Sequence, residues 1–234
     1  MSDYAFAPPP VAALPAPPGK PFPVRRIFCV GQNYRDHARE MGGNPNLDPP
    51  FFFMKPASAI VQDGARLPYP PGTKDLQHEA ELVVAISGGG RDIAPERANE
   101  LIFGYATGLD MTKRDLQTEL RKKGRPWEMS KSFDCSAPCS AITPKEKTGP
   151  LSKGKIECKV NGRLRQRSDL SAMIWPVAQI IAFLSQEIEI APGDLIFTGT
   201  PAGVGPVVSG DRIEATIEGL AALVIHVGDA QSFG

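Results

Sequence analysis

Residues 82–86, Leu-Val-Val-Ala-Ile, form an unbroken apolar run, and Glu79 and Glu81 stand at its mouth. Such a run reads as a buried strand. Residues two apart on a strand point to the same side, so both carboxylates are aimed into one place. In an interior, two like charges need a proton, a lysine or arginine, or a metal ion. A solvated strand edge is the other reading of the pair. A second apolar stretch, Gly-Tyr-Ala-Thr-Gly-Leu, ends in another acid, Asp110. Three carboxylates from two segments suit a hard, oxygen-preferring cation, Mg²⁺ or Mn²⁺.

The 23 glycines and 24 prolines divide the rest of the chain into short elements joined by turns. We expect a strand over 24–30, a helix over 31–41 stopped by Gly42 and Gly43, and a buried strand over 51–54 from which Lys55 emerges. Further helices are expected over 96–102, over 112–124 with Thr112 as N-cap, and over 173–184 with Pro176 in its first turn. Residues 155–167 read as a hairpin about Asn161-Gly162. Further strands follow at 195–198, 212–217 and 221–227. The regular alternation of strand and helix found in barrels and dinucleotide-binding sheets is missing, and there is no internal repeat. The expected class is mixed β-rich α+β, one domain over 24–234 with a lid segment at 34–50. An Ala/Pro-rich arm, 1–23, precedes it and lies across the body or a neighbouring subunit.

Charge narrows the partners. Lys and Arg number 26 and Asp and Glu 26, which gives no support for nucleic-acid binding. No basic amphipathic stretch or long apolar run points to a membrane. Cys29, Cys135, Cys139 and Cys158 are too few for a disulfide scaffold, and three residues separate Cys135 from Cys139 where a zinc or redox pair has two. Reduced thiols in the cytoplasm are the expectation, and the opening residues lack the pattern of a signal peptide.

On a helix, His37 and Glu40 lie three apart and can meet as a base and its orienting carboxylate, or simply as a surface pair. Lys55 and Lys131 border apolar segments and are candidates to answer substrate charge. Lys113-Arg114 follows Asp110 directly. The loop Gly199-Thr-Pro-Ala-Gly-Val-Gly205 lacks the ending of a phosphate-binding loop. It can still offer backbone N–H groups and the Thr200 hydroxyl to a carboxylate, or be a turn without a ligand. No Gly-x-Ser-x-Gly elbow is present, so a water nucleophile is the economical choice. Arg39 and Arg125 are candidate contacts for a distal carboxylate, with solvation as the alternative.

Several segments occur together and in order: Cys-Val-Gly-Gln-Asn-Tyr-Arg-Asp-His37, Phe-Met-Lys-Pro56, His-Glu-Ala-Glu81, Gly-Leu-Asp-Met-Thr-Lys-Arg-Asp-Leu-Gln117, Lys-Ser-Phe-Asp134 and Phe-Thr-Gly-Thr-Pro-Ala-Gly-Val-Gly205. From about Arg25 to Val227 the chain resembles the fumarylacetoacetate hydrolase family in its compact single-domain form. The resemblance implies a β-roll fold assembled as a homodimer. It implies that Glu79, Glu81 and Asp110 hold one Mg²⁺ or Mn²⁺, with His37 and Glu40 as the water-activating dyad on a closing segment. Lys131 would stabilise the reacting substrate, while Lys55, Arg114, Gln117 and Thr200 would contact it. The implied substrate is a small anionic β-dicarbonyl acid. The arm and the Phe-Phe-Phe-Met-Lys-Pro segment look most like bacterial members acting on fumarylpyruvate in the gentisate route of aromatic degradation. The expected reaction is cleavage of an acylpyruvate, fumarylpyruvate to fumarate and pyruvate. Oxaloacetate decarboxylation, dienoate isomerisation and a non-enzymatic metal-binding structural role are the alternatives.

Overall fold

The computed structural model describes residues 4–42 and 49–230. An eight-stranded sheet carries the site. Its path runs Phe51–Lys55, Arg26–Gly31, Asp194–Phe197, Ala80–Ile86, Ile102–Leu109, Ala137–Cys139 and Ile60–Gln62, with Thr143–Pro144 beside Ile102–Leu109. A five-stranded sheet runs Arg163–Asp169, Lys155–Val160, Arg212–Ile217, Leu223–Ala230 and Arg66–Tyr69. The short strands Thr112–Lys113, Leu76–His78 and Gly205–Val207 form a third sheet. The fold is mixed α+β, as expected.

Ala80–Ile86 is buried at every position. A strand with no solvent face has no use for alternation, which explains the continuous apolar run. Leu82, Val84 and Ile86 pack with Phe28, Tyr105 and Ile196 and with the second sheet's Ile156, Ile213 and Ile225. Val83 and Ala85 join Ile27, Leu195 and Phe197 on the opposite face. That face is covered by Leu14, Ala16, Phe22 and Val24 from the proline-rich segment. Leu14 is fully buried and Phe22 nearly so, each worth about 1.5–3 kcal/mol of removed apolar surface.

Register brings the acids together. Ala80 pairs with Leu109 in the antiparallel ladder, so Glu79 and Asp110 sit opposite one another just beyond it. The Asp110 N–H donates to the Glu79 carbonyl at 2.9 Å. At the other end of the sheet, the Arg26 guanidinium clamps buried Asp194 at 2.7 and 3.0 Å and fixes the parallel pairing of their strands.

The hairpin forms as expected, with Asn161 at φ 50° and Gly162 at φ 75°. Other expectations need correction. The first helix is only Arg35–Glu40, because Gly31 still belongs to a strand, Gln32 has φ 54° and Asn33 bonds Trp175 and Thr198. The helix expected from 112 is Arg114–Lys122; Thr112–Lys113 pairs with Leu76–His78, and the Thr112 hydroxyl donates to the Asp110 carbonyl rather than capping. The helix expected from 173 is Val177–Glu187, with Pro176 extended at its N-cap. The N–H groups of Ile174 and Trp175 are already engaged by Asn33. Phe51–Lys55 is an edge strand on which Phe51 and Met54 are exposed, whereas Lys55 is buried. The expected polarity is reversed at Phe51, Met54 and Lys55, while Phe52 and Phe53 pack against the core. Of the expected lid, residues 43–48 lie outside the described residues.

Candidate active site and metal centre

A cavity of about 430 Å³ opens where the sheets meet the helices Arg35–Glu40 and Arg114–Lys122. Its floor is formed by Glu79, Glu81, Asp110 and Lys131, all at most 4 % exposed. One oxygen from each acid lies within 4.8 Å of the others, the only such group among the described residues. Lys131 Nζ donates to Glu79 Oε2 and to Asp110 Oδ2, both at 2.7 Å. Arg114 reaches the other Glu79 oxygen.

The three acids differ in their fields. Burial pushes Glu79 up, but Lys131 and then Arg114 outweigh it and hold this carboxyl well below the usual range. Glu81 is driven well above that range by burial first, then by Asp110 and Glu79. Its hydrogen-bond partner is not a cation but the Gly199 N–H, at 2.8 Å. Lys55 Nζ lies 2.9 Å from Asp110 Oδ1, an ion pair by distance. The same Nζ donates to the carbonyls of Met111 and Lys131, so its hold on Oδ1 is mainly electrostatic. Glu81, repelled by Asp110 and Glu79 and met by a backbone N–H instead of a side-chain cation, is the acid whose charge is least compensated. The donor set, all carboxylate oxygen, fits Mg²⁺ or Mn²⁺.

Opposite the acids, His37 and Glu40 line the same cavity. His37 Nδ1 is 3.0 Å from Glu40 Oε2, and Glu40 Oε1 accepts the Gly203 N–H at 3.2 Å. The short helix presents His37 inward because Ala38, beside it, packs in the interior.

Arg114, Gln117 and Thr200 also line the cavity. Arg114 Nη1 donates to Gln117 Oε1 at 2.5 Å, and its Nε to Gln77 Oε1 at 2.9 Å. The Thr200 hydroxyl donates to the Ala80 carbonyl and accepts from Gln166 Nε2, both at 2.8 Å. Lys55 is not brought to the cavity wall. It sits behind Asp110 and donates to the carbonyls of Met111, at 3.2 Å, and Lys131. Arg39 pairs with Asp36 on the outer helix face, and exposed Arg125 lies beyond the neighbouring helix; neither lines the cavity.

Two groups escaped the sequence. Buried Gln166 accepts from the Ala80 N–H at 3.0 Å and donates to Thr200 and Pro201, locking the glycine-rich loop to the carboxylate strand. Nothing in a run of alternating arginines announces it. Arg121 and Lys122 line the cavity as well; counting seven and eight residues on from Arg114 along one helix face was the available signal.

Fold and site define a member of the fumarylacetoacetate hydrolase family, and the chain belongs to it: residues 26–228 match that family's C-terminal region. The fold is thus that of the family's catalytic domain, a curled β-roll. The crystal structure of fumarylpyruvate hydrolase from Pseudomonas aeruginosa in complex with Mn²⁺ and pyruvate superposes with a TM-score of 0.94. It is 47 % identical and covers 97 % of this chain and 99 % of its own. Fumarylpyruvate hydrolase of a Ralstonia species is 44 % identical over 186 residues, 80 % of this chain and 96 % of its own. The human mitochondrial oxaloacetate tautomerase FAHD1 is 45 % identical over 203 residues, 87 % of this chain and 91 % of its own. The cytoplasmic expectation is corrected by the mammalian relatives, which are mitochondrial proteins; buried free thiols do not assign a compartment. Among the described residues no helix is long and apolar enough to cross a membrane.

Proposed function

We propose that this protein is an enzyme that hydrolyses the C–C bond of an acylpyruvate, fumarylpyruvate foremost, with a divalent metal ion. The observation that carries this reading is the convergence of three buried carboxylates and Lys131 on one cavity wall with His37 and Glu40 on another. The relative crystallised with Mn²⁺ and pyruvate supports it. Glu79, Glu81 and Asp110 would hold Mg²⁺ or Mn²⁺, which when bound supplies Lewis acidity to the oxygens of a 2-oxo acid.

The chain's own residues supply the rest. His37, its Nδ1 fixed by Glu40, takes a proton from water as the oxygen adds to the C4 carbonyl. The C3–C4 bond then breaks: the acyl carbon leaves as a carboxylate, and the three-carbon fragment takes a proton at C3 to become pyruvate. Lys131 faces the negative charge that develops on that fragment. Gln117 and Arg114 orient the substrate's head; Thr200, its hydroxyl committed to Ala80, shapes the loop that receives it. Lys55 holds Asp110 in place and does not touch substrate. The described part of the closing segment, 34–42, acts as the lid, and the chain works as a homodimer in gentisate-route degradation.

The identity to the oxaloacetate tautomerase favours a second reading, proton transfer at C3 of oxaloacetate without attack by water. A substrate panel separates them. Fumarylpyruvate, acetylpyruvate and oxaloacetate are compared with added Mg²⁺ or Mn²⁺ and after chelation. Metal-dependent release of pyruvate from the acylpyruvates is expected; enol–keto exchange of oxaloacetate alone would replace the first reading with the second.

A further inference from the structure

We propose that Lys122 and Arg121 form a receptor for a second carboxylate at the far end of the substrate, so that the enzyme selects diacid acylpyruvates over monoacids. The inference rests on the acylpyruvate reading and names what that reading leaves open, the acyl tail.

The helix Arg114–Lys122 runs from the floor of the cavity to its mouth. Arg114, Gln117 and Arg121, at spacings of three and four, share one helical face, and Lys122 flanks it; all four line the cavity. The first two are buried beside Glu79, whereas the last two are exposed at the opening. Seven residues of helix separate Arg114 from Arg121 by about 10 Å. A seven-carbon diacid spans roughly 8 Å between its terminal carbons, from bonds of about 1.5 Å in zigzag. With its 2-oxo acid end at the floor, its other end arrives at this pair of cations.

The wall between the two ends suits a flat conjugated chain. Phe53 lies under Lys131 Nζ at 5.1 Å and packs against Trp127 at 6.1 Å, and both rings line the cavity. Arg121 is held in place: its Nη1 donates to the Met41 carbonyl at 2.6 Å. A guanidinium has five N–H groups, so one such bond leaves others for a carboxylate. Lys122 has no ion pair among the described residues, since nearby Glu119 is taken by Lys123 at 2.5 Å. Acetylpyruvate carries nothing for this pair to hold.

The test is kcat/KM for fumarylpyruvate and acetylpyruvate with saturating Mn²⁺, in the wild type and in Lys122→Met, Lys122→Arg and Arg121→Gln. In Lys122→Met the fumarylpyruvate-to-acetylpyruvate ratio is expected to fall about tenfold, the effect of one charge-assisted hydrogen bond near solvent. The loss should appear in KM, and Lys122→Arg should restore the ratio. Arg121→Gln also lowers the ratio. Added salt narrows the wild-type preference. Equal losses on both substrates, or an unchanged ratio in both Lys122→Met and Arg121→Gln, overturn the inference while the hydrolase reading stands. A wild type that cleaves neither acylpyruvate overturns both.

Discussion

The backbone N–H of Gly199 donates to Glu81 Oε2 at 2.8 Å, joining the glycine-rich loop to the least compensated of the three acids. Gly199 has φ 95°, and a Cβ there would stand 2.6 Å from Asn33 Cβ. Gly199→Ala is therefore expected to cost at least about 2 kcal/mol, from left-handed backbone strain and the clash. Mn²⁺ affinity should fall with it. Gly205→Ala, where an added Cβ meets nothing within 4 Å, should stay within about 0.5 kcal/mol. Urea unfolding and metal titration calorimetry of the two variants check this.

Glu81→Gln should move two quantities in opposite directions. Without metal at neutral pH, it removes a buried carboxyl repelled by Asp110 and Glu79, and the protein should gain about 1 kcal/mol. Mn²⁺ affinity should drop by more than about 100-fold, beyond the roughly 10–100-fold range of outer-sphere changes. A wild-type unfolding temperature that rises with Mn²⁺, and a variant temperature that does not, is the expected melting result.

His37→Ala should reduce kcat for acylpyruvate hydrolysis by about 10²–10⁴-fold, the usual contribution of a positioned general base. Glu40→Gln should cost less, because the imidazole remains. Mn²⁺ affinity should hardly change in either, since neither side chain belongs to the carboxylate group. Full hydrolase rate in His37→Ala, under conditions where chemistry limits turnover, would remove His37 from the mechanism.

Alkali should destabilise the protein through its thiols. Burial pushes Cys158 up to about 12 and raises Cys29 and Cys139 strongly. Above about pH 9 an unfolded thiol loses its proton while these keep theirs, so stability falls as pH rises. Each thiol contributes up to about 1.4 kcal/mol per pH unit. Urea midpoints between about pH 8.5 and 10.5 should decline, and Cys139→Ala should decline less steeply by one proton. Below pH 9 this contribution is flat.

What the sequence carried depended on how local each cause is. Asn161-Gly162 needs only its own backbone, and the hairpin was legible. Glu79 and Glu81 two apart, with Asp110 at the end of another apolar stretch, pointed to one place because strand geometry is regular. A lysine closing an apolar run commonly meets solvent, whereas the burial of Lys55 depends on Asp110, fifty-five positions away, and on the carbonyl of Lys131. Gln166 was invisible for the same reason: its partners Ala80, Thr200 and Pro201 come from other segments. Helix limits slipped where Asn33 claimed the N–H groups of Ile174 and Trp175, a contact across about 140 residues.

The proline-rich segment that seals the far side of the carboxylate strand has a consequence for how the molecule comes into being. Leu14 and Phe22 rest on surfaces built by Val83, Ala106 and Phe197. On a ribosome, where domains ordinarily take shape from their earlier residues onward, these two are made long before their seat exists. That seat is complete only once the strand Asp194–Phe197 has been synthesised and docked. The segment made early thus depends on one made late, and its docking closes the apolar layer beneath the three clustered acids.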